Sequence, residues 1–154
     1  MKAINVLVLA FLAQSILACA SVTKRDERAA IQQAWKLLEN GSFDESVRIV
    51  RPYLKTRKAD LALTIAHIYN ERAIQEGNYS LLNRKRDRQC FVSMLERAAI
   101  LGDLGAASTL SATFYFPNSN VSKDVGRSKC WDYVVEKGKA PTACAREVGF
   151  EFCL

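Results

Sequence analysis

The stretch Cys90–Phe116, CFVSMLERAAILGDLGAASTLSATFYF, decides how this chain reads. Phe91, Met94, Leu95 and Ala98 fall at i, i+3, i+4 and i+7, the spacing that lines one face of an α-helix. Gly102 ends that helix, and Asp103 is placed to cap the next one. The inward stripe of that second helix is Leu104, Ala107, Leu110 and Phe114. Ala98, Ala99, Ala106 and Ala107 remove side-chain bulk where the two helices meet, so their axes can approach closely. A helical hairpin follows from these residues alone.

The same spacing continues in both directions. Ile31, Ala34, Trp35 and Leu38 make a first stripe, closed by Asn40-Gly41. Phe43, Val47, Val50 and Leu54 make a second, with Ser42 as N-cap and Asp44 and Glu45 at the positive end of the dipole. Pro52 removes a backbone donor and predicts a kink or an early end there. Leu61, Ile65, Ile68 and Tyr69 define a third helix that runs towards Gln75 and stops at Gly77, and Asn78–Asn83 reads as a loop. Beyond the loop at Pro117–Asn120, Trp131, Val134, Val135 and Gly138 make a sixth helix, and Thr142–Phe152 a seventh. No segment alternates with period two for long enough to compete as a core strand. The expectation is an all-α fold over residues 26–154, with short connections and antiparallel neighbours.

The fourth and sixth helices coincide at a shift of forty residues. Cys90 falls on Cys130, Phe91 on Trp131, Met94 and Leu95 on Val134 and Val135, Glu96 on Glu136, and Ala98 on Gly138. A period in this range marks a helical solenoid, where each hairpin buries its face only against the next. Cys90–Phe116, followed by Asn120–Gly138 (NVSKDVGRSKCWDYVVEKG), resembles Sel1-like repeats, relatives of the tetratricopeptide class. The matching residues are Arg97-Ala98-Ala99, Gly102, Ala106, Leu110, Tyr115, Asp124 and Trp131. The pattern's Gly after the Tyr is Phe116-Pro117 here, its early Ala is Ser128, and its second Ala-Ala is Gly138-Lys139. That leaves one good repeat and one degraded one. Upstream, Ala34–Phe43 (AWKLLENGSF) resembles a tetratricopeptide hairpin. The resemblance covers most of residues 28–140 and implies a short right-handed solenoid of hairpins that grips another protein. In bacterial Sel1-like lipoproteins it implies envelope adaptors, or immunity proteins that neutralise periplasm-targeted toxins such as type VI secreted lipases.

The composition agrees with a globular fold: 154 residues, 49% hydrophobic and 25% charged. Those values exclude a disordered tail or a fibrous repeat. Seven Gly and three Pro leave few helix breakers. One His makes a His-based metal site or a His-paired nucleophile hard to build, so no metal and no cofactor are expected.

The N-terminus reads as an export signal over residues 1–18. Lys2 precedes an apolar run, Ile4–Leu12, that is too short to span a bilayer. Ala18-Cys19-Ala20 is an A-x-A site that would place cleavage before Ser21. Ile16-Leu17-Ala18-Cys19 resembles the bacterial lipobox, which would acylate Cys19 and leave residues 19–25 as a tether. The lipobox is the favoured reading, because a Cys at the cleavage point of a signal is otherwise unusual. By the same resemblance, Ala20 in place of Asp implies the inner face of the outer membrane. Contact with the membrane would run through the lipid alone, at about 0.8 kcal/mol per buried CH₂. Removing the signal takes one charge, Lys2, from a chain of net +6.

Export implies an oxidising space for Cys90, Cys130, Cys144 and Cys153, which allow three pairings. Cys144 and Cys153 on one helix would stand about 13 Å apart, too far to bridge. In an antiparallel hairpin the start of the sixth helix meets the end of the seventh, so Cys130–Cys153 is the expected bond.

Arg84-Lys85-Arg86-Asp87-Arg88 is the densest basic run. Arg84, Lys85, Arg86 and Arg88 are therefore the candidate partner-binding residues, facing an acidic protein or anionic headgroups; the same run also reads as a solvated helix start. Nucleic acid is not an expected partner, since the nearby aromatics belong to helix stripes. Ser21-Val22-Thr23-Lys24 matches the S-x-x-K of serine β-lactamases but falls in the tether and lacks the companion K-T-G. His67 has no Ser or Cys placed to pair with it. The expected function is a protein-binding module with no catalytic residues and no small-molecule substrate.

Overall fold

A computed structural model describes residues 27–74, 81–116 and 121–139, together with Cys144, Phe150 and Cys153. Its helices are α1 (27–39), α2 (Phe43–Val50), α3 (Ala59–Ile74), α4 (Leu81–Ile100), α5 (Leu104–Tyr115) and α6 (Val125–Lys137). No strand occurs among the described residues, so the fold is all-helical. The seventh helix expected over Thr142–Phe152 lies almost wholly outside them, as do Cys19 and Ser21. No helix among the described residues is long and apolar enough to cross a membrane.

Two glycines make the same turn twice. After α1, the Gly41 N–H bonds to the Leu38 carbonyl (2.9 Å) and the Ser42 N–H to that of Leu37 (2.8 Å). After α4, Gly102 bonds to Ala99 and Asp103 to Ala98, both at 3.0 Å. This is the Schellman pattern, which needs a left-handed residue, and Gly41 and Gly102 have φ of 75° and 102°. Asp103 then caps α5, accepting from the Ala106 N–H at 2.8 Å. Asp124 caps α6 through the Arg127 N–H at 2.9 Å. Ser42 holds the cap position of α2 but makes no side-chain cap bond.

Pro52 ends α2 early, as expected: the α-helix stops at Val50 and a short 3-10 turn spans Arg51–Tyr53. Of the loop read at Asn78–Asn83, the last three residues are helical instead, because α4 already begins at Leu81; the first three lie outside the described residues. Leu81 and Leu82 are good helix formers, so nothing in the local sequence delays the start.

Neighbouring helices pack in chain order: α2 on α3, α3 along α4, α4 on α5 and α5 along α6. That order is consistent with a helical repeat. The Ser46 hydroxyl donates to the Ala34 carbonyl (2.7 Å) and joins α1 to α2 inside the core. Ala98, Ala106 and Ala107 are fully buried at the α4–α5 contact, as their small size predicts. Trp131, Tyr69 and Phe114 are the largest side chains removed from water. The stripes err at their ends. Leu104 and Val135 were expected inward but are 44% and 40% exposed. Leu104 opens its helix at a turn, beside exposed Ile100 and Leu101; Val135 lies near the exposed end of α6.

One ionic cluster ties three helices. The Arg72 guanidinium of α3 donates through Nε to Asp87 of α4 (2.6 Å), makes a second bond to that carboxylate, and reaches Asp44 of α2 at 3.3 Å. The side chain of Asp87 is 1% exposed and that of Arg72 8%. Arg97, in the Arg-Ala-Ala matched above, donates to the carbonyls of Thr56 and Lys55 (2.7 Å to the latter) and lies over the Phe150 ring. It satisfies carbonyls left open where the Arg51–Tyr53 turn ends.

The expected Cys130–Cys153 bond does not form. Cys130 pairs with Cys144 (Cα–Cα 5.7 Å) and Cys90 with Cys153 (Cα–Cα 5.1 Å). The expectation placed the end of a seventh helix against the start of α6. Instead Cys144 lies beside Cys130, while Cys153 reaches α4, where the Tyr69 hydroxyl donates to its carbonyl at 2.8 Å. The two cysteines that coincide in the forty-residue repeat thus each hold a residue of the C-terminal segment.

Candidate functional site

A groove of about 550 Å³ runs between α1 and α3. Its position follows from the periodicity of both helices. Ile31 and Leu61 turn inward and are buried, forming the floor. Residues one helical step away, Gln32, Trp35 and Lys36 on α1 and Leu63, Thr64 and His67 on α3, stand up as walls. The sequence placed Trp35 among the inward residues, yet it is 37% exposed. Its indole N–H donates to Glu39 one turn later (2.9 Å), which holds the ring at the groove wall.

Ion pairs tie α1 to α3 and to the residue before α3. Arg28 meets Asp60 at 3.0 Å, and Lys58 meets Glu27 at 2.8 Å. Burial alone would raise the Glu27 carboxyl. Hydrogen bonds from Lys58 and Thr56, with the Lys58 charge, outweigh it and hold the group below the usual carboxylate range. Both carboxylates on the groove surface are thus engaged, Asp60 by Arg28 and Glu39 by Trp35.

His67 lies on the groove wall and is exposed. The nearby Thr64 hydroxyl donates backwards to the Asp60 carbonyl (2.9 Å), the ordinary bond of a helix-borne Thr. No hydroxyl–imidazole pair is assembled here. Among the described residues, no three His, Cys, Asp or Glu side chains converge as metal ligands would.

The basic run reads differently in three dimensions. Arg84–Arg88 lies in the first turns of α4, which begins at Leu81. Asp87 is buried against Arg72. Arg88 donates to the Asn70 side chain and stacks near Phe91 (5.9 Å), and neither Arg84 nor Arg86 stands free. Lys85 is exposed. Asp87 and Arg88 thus tie the start of α4 to α3. The groove, which sequence reasoning missed, had one faint signal: Trp35 and Glu39 four residues apart, able to bond along the outside of a helix.

No family model matches the chain, and neither a curated protein nor a solved structure matches it.

Proposed function

We propose that this chain is a protein-binding scaffold and that the α1–α3 groove holds a segment of its partner. The observation that carries the reading is the groove itself: an apolar floor between two helices, with a half-exposed tryptophan fixed at its wall. Rigid aromatics at the rim of a concave apolar site are the usual anchors of protein interfaces. The hairpin order and the paired Schellman turns support a short right-handed solenoid of the Sel1-like kind.

The compartment and the kind of partner rest on the sequence reading. The export signal, the lipobox at Cys19 and two disulfides fit a periplasmic lipoprotein, anchored to the inner face of the outer membrane. A small tethered scaffold of this kind suits an immunity protein against a type VI secreted effector, or an adaptor in envelope assembly.

The test is capture with the wild-type chain and with Trp35→Ala, at a residue 37% exposed, the fold of the variant being checked by circular dichroism and a urea melt. The wild type should retain one stoichiometric protein partner. The variant should bind it about thirtyfold more weakly, the cost of removing a central aromatic anchor worth about 2 kcal/mol. Equal binding by the two proteins would remove the groove from the function. Failure of the wild type to protect cells against a co-expressed periplasmic effector that it binds would remove the immunity role.

A further inference from the structure

Each disulfide starts from an equivalent repeat position, Cys90 or Cys130, but the surroundings differ. Cys90 and Cys153 are 0% and 1% exposed, beneath Tyr69, whose hydroxyl bonds to the Cys153 carbonyl. Cys130 is partly exposed on α6, and its partner Cys144 is 4% exposed. The rings they close also differ: the Cys130–Cys144 pair is 14 residues apart and the Cys90–Cys153 pair 63.

We propose that Cys130–Cys144 is a thiol-exchange site, opened selectively by dithiol reductants while Cys90–Cys153 stays closed. Exchange requires a thiolate to approach a sulfur in line with the S–S bond, so access decides which bond reacts. Cys130 is the more exposed of the four cysteines. One thiolate of the dithiol attacks the Cys130 sulfur and forms a mixed disulfide there. The electron pair of the broken bond leaves on Cys144, which takes up a proton. The second thiolate of the dithiol then attacks the reagent's own sulfur in the mixed disulfide. Cys130 departs as a thiolate and is protonated, and the reagent closes into a cyclic disulfide. Two electrons pass from the dithiol to the protein bond. Cys90–Cys153 offers no such approach, and it reacts only from states in which the core around Tyr69 has opened.

The experiment treats the oxidised, folded protein with dithiothreitol, alkylates at intervals, and maps the four cysteines by peptide mass spectrometry. Cys130 and Cys144 should be labelled at least roughly tenfold faster than Cys90 and Cys153. Urea below the unfolding transition should accelerate only the slower pair, because only that pair waits for an opening of the fold. The double variant Cys130→Ser/Cys144→Ser should keep the native circular dichroism, and its Cys90 and Cys153 should still react only through opening, at a rate that rises with urea. Equal rates for the two bonds, the reverse order, or a fast bond accelerated by urea as steeply as the slow one would each overturn the proposal.

Discussion

At the scale of single residues, Tyr69 shows how one polar atom is made safe in a core. Its ring is fully buried, and its hydroxyl is spent on the carbonyl of Cys153. Burial pushes the phenol above its ordinary value, against the pull of Arg51 and Arg72. A raised value means that the folded state keeps its proton where the unfolded chain would lose it. The associated stability is complete below the ordinary phenol pKa of about 10, and it is lost as pH rises through the folded value. Tyr69→Phe should cost about 1–3 kcal/mol at neutral pH, because it strands a buried carbonyl. Urea midpoints followed from neutral pH into the alkaline range should fall for the wild type and lose that component in the variant. Trp131 is a contrasting case: it is wholly buried, and its indole N–H has no partner among the described residues.

At the scale of elements, the sequence was legible where a pattern is local. The stripes Phe43/Val47/Val50/Leu54, Leu61/Ile65/Ile68/Tyr69 and Phe91/Met94/Leu95/Ala98 are buried apart from Phe43, which is partly buried, because a helix turns its period into a face without outside help. The glycine turns were legible for the same reason. Trp35 and Leu104 were not, since whether a stripe's edge meets a neighbour depends on helices far away in sequence. The burial of Asp87 inside the Arg84–Arg88 run was not legible, because its partner Arg72 comes from another helix. Helix approach supplies the test at this scale. Ala98 is fully buried where α4 meets α5, so Ala98→Leu should overpack that contact and cost about 1–3 kcal/mol in a thermal or urea melt. An unchanged melting temperature would mean that the axes are not held as closely as described.

At the scale of the whole molecule, the disulfides bind the C-terminal segment to the stack at two points. Cross-linking lowers the entropy of the unfolded chain more for a longer ring. On that account the 63-residue separation is worth about 4 kcal/mol and the 14-residue one about 3 kcal/mol. Replacing Cys90 and Cys153 with Ser should therefore lower the urea midpoint more than replacing Cys130 and Cys144, with the lost Cys90–Cys153 packing widening the gap. The connectivity itself was not legible. Spacing removes Cys144–Cys153, but which cysteine of the final segment reaches which helix depends on the path that segment takes.

That connectivity has a consequence for biogenesis. A chain emerging amino end first presents Cys90 and then Cys130 before either true mate has appeared. The earliest thiols able to meet are thus a mismatched couple. Maturation must either keep them apart until Cys144 and Cys153 arrive or reshuffle an initial error, a step that takes seconds to hours depending on oxidant and isomerase. The yield of active protein should accordingly depend on isomerase supply more than on oxidising power.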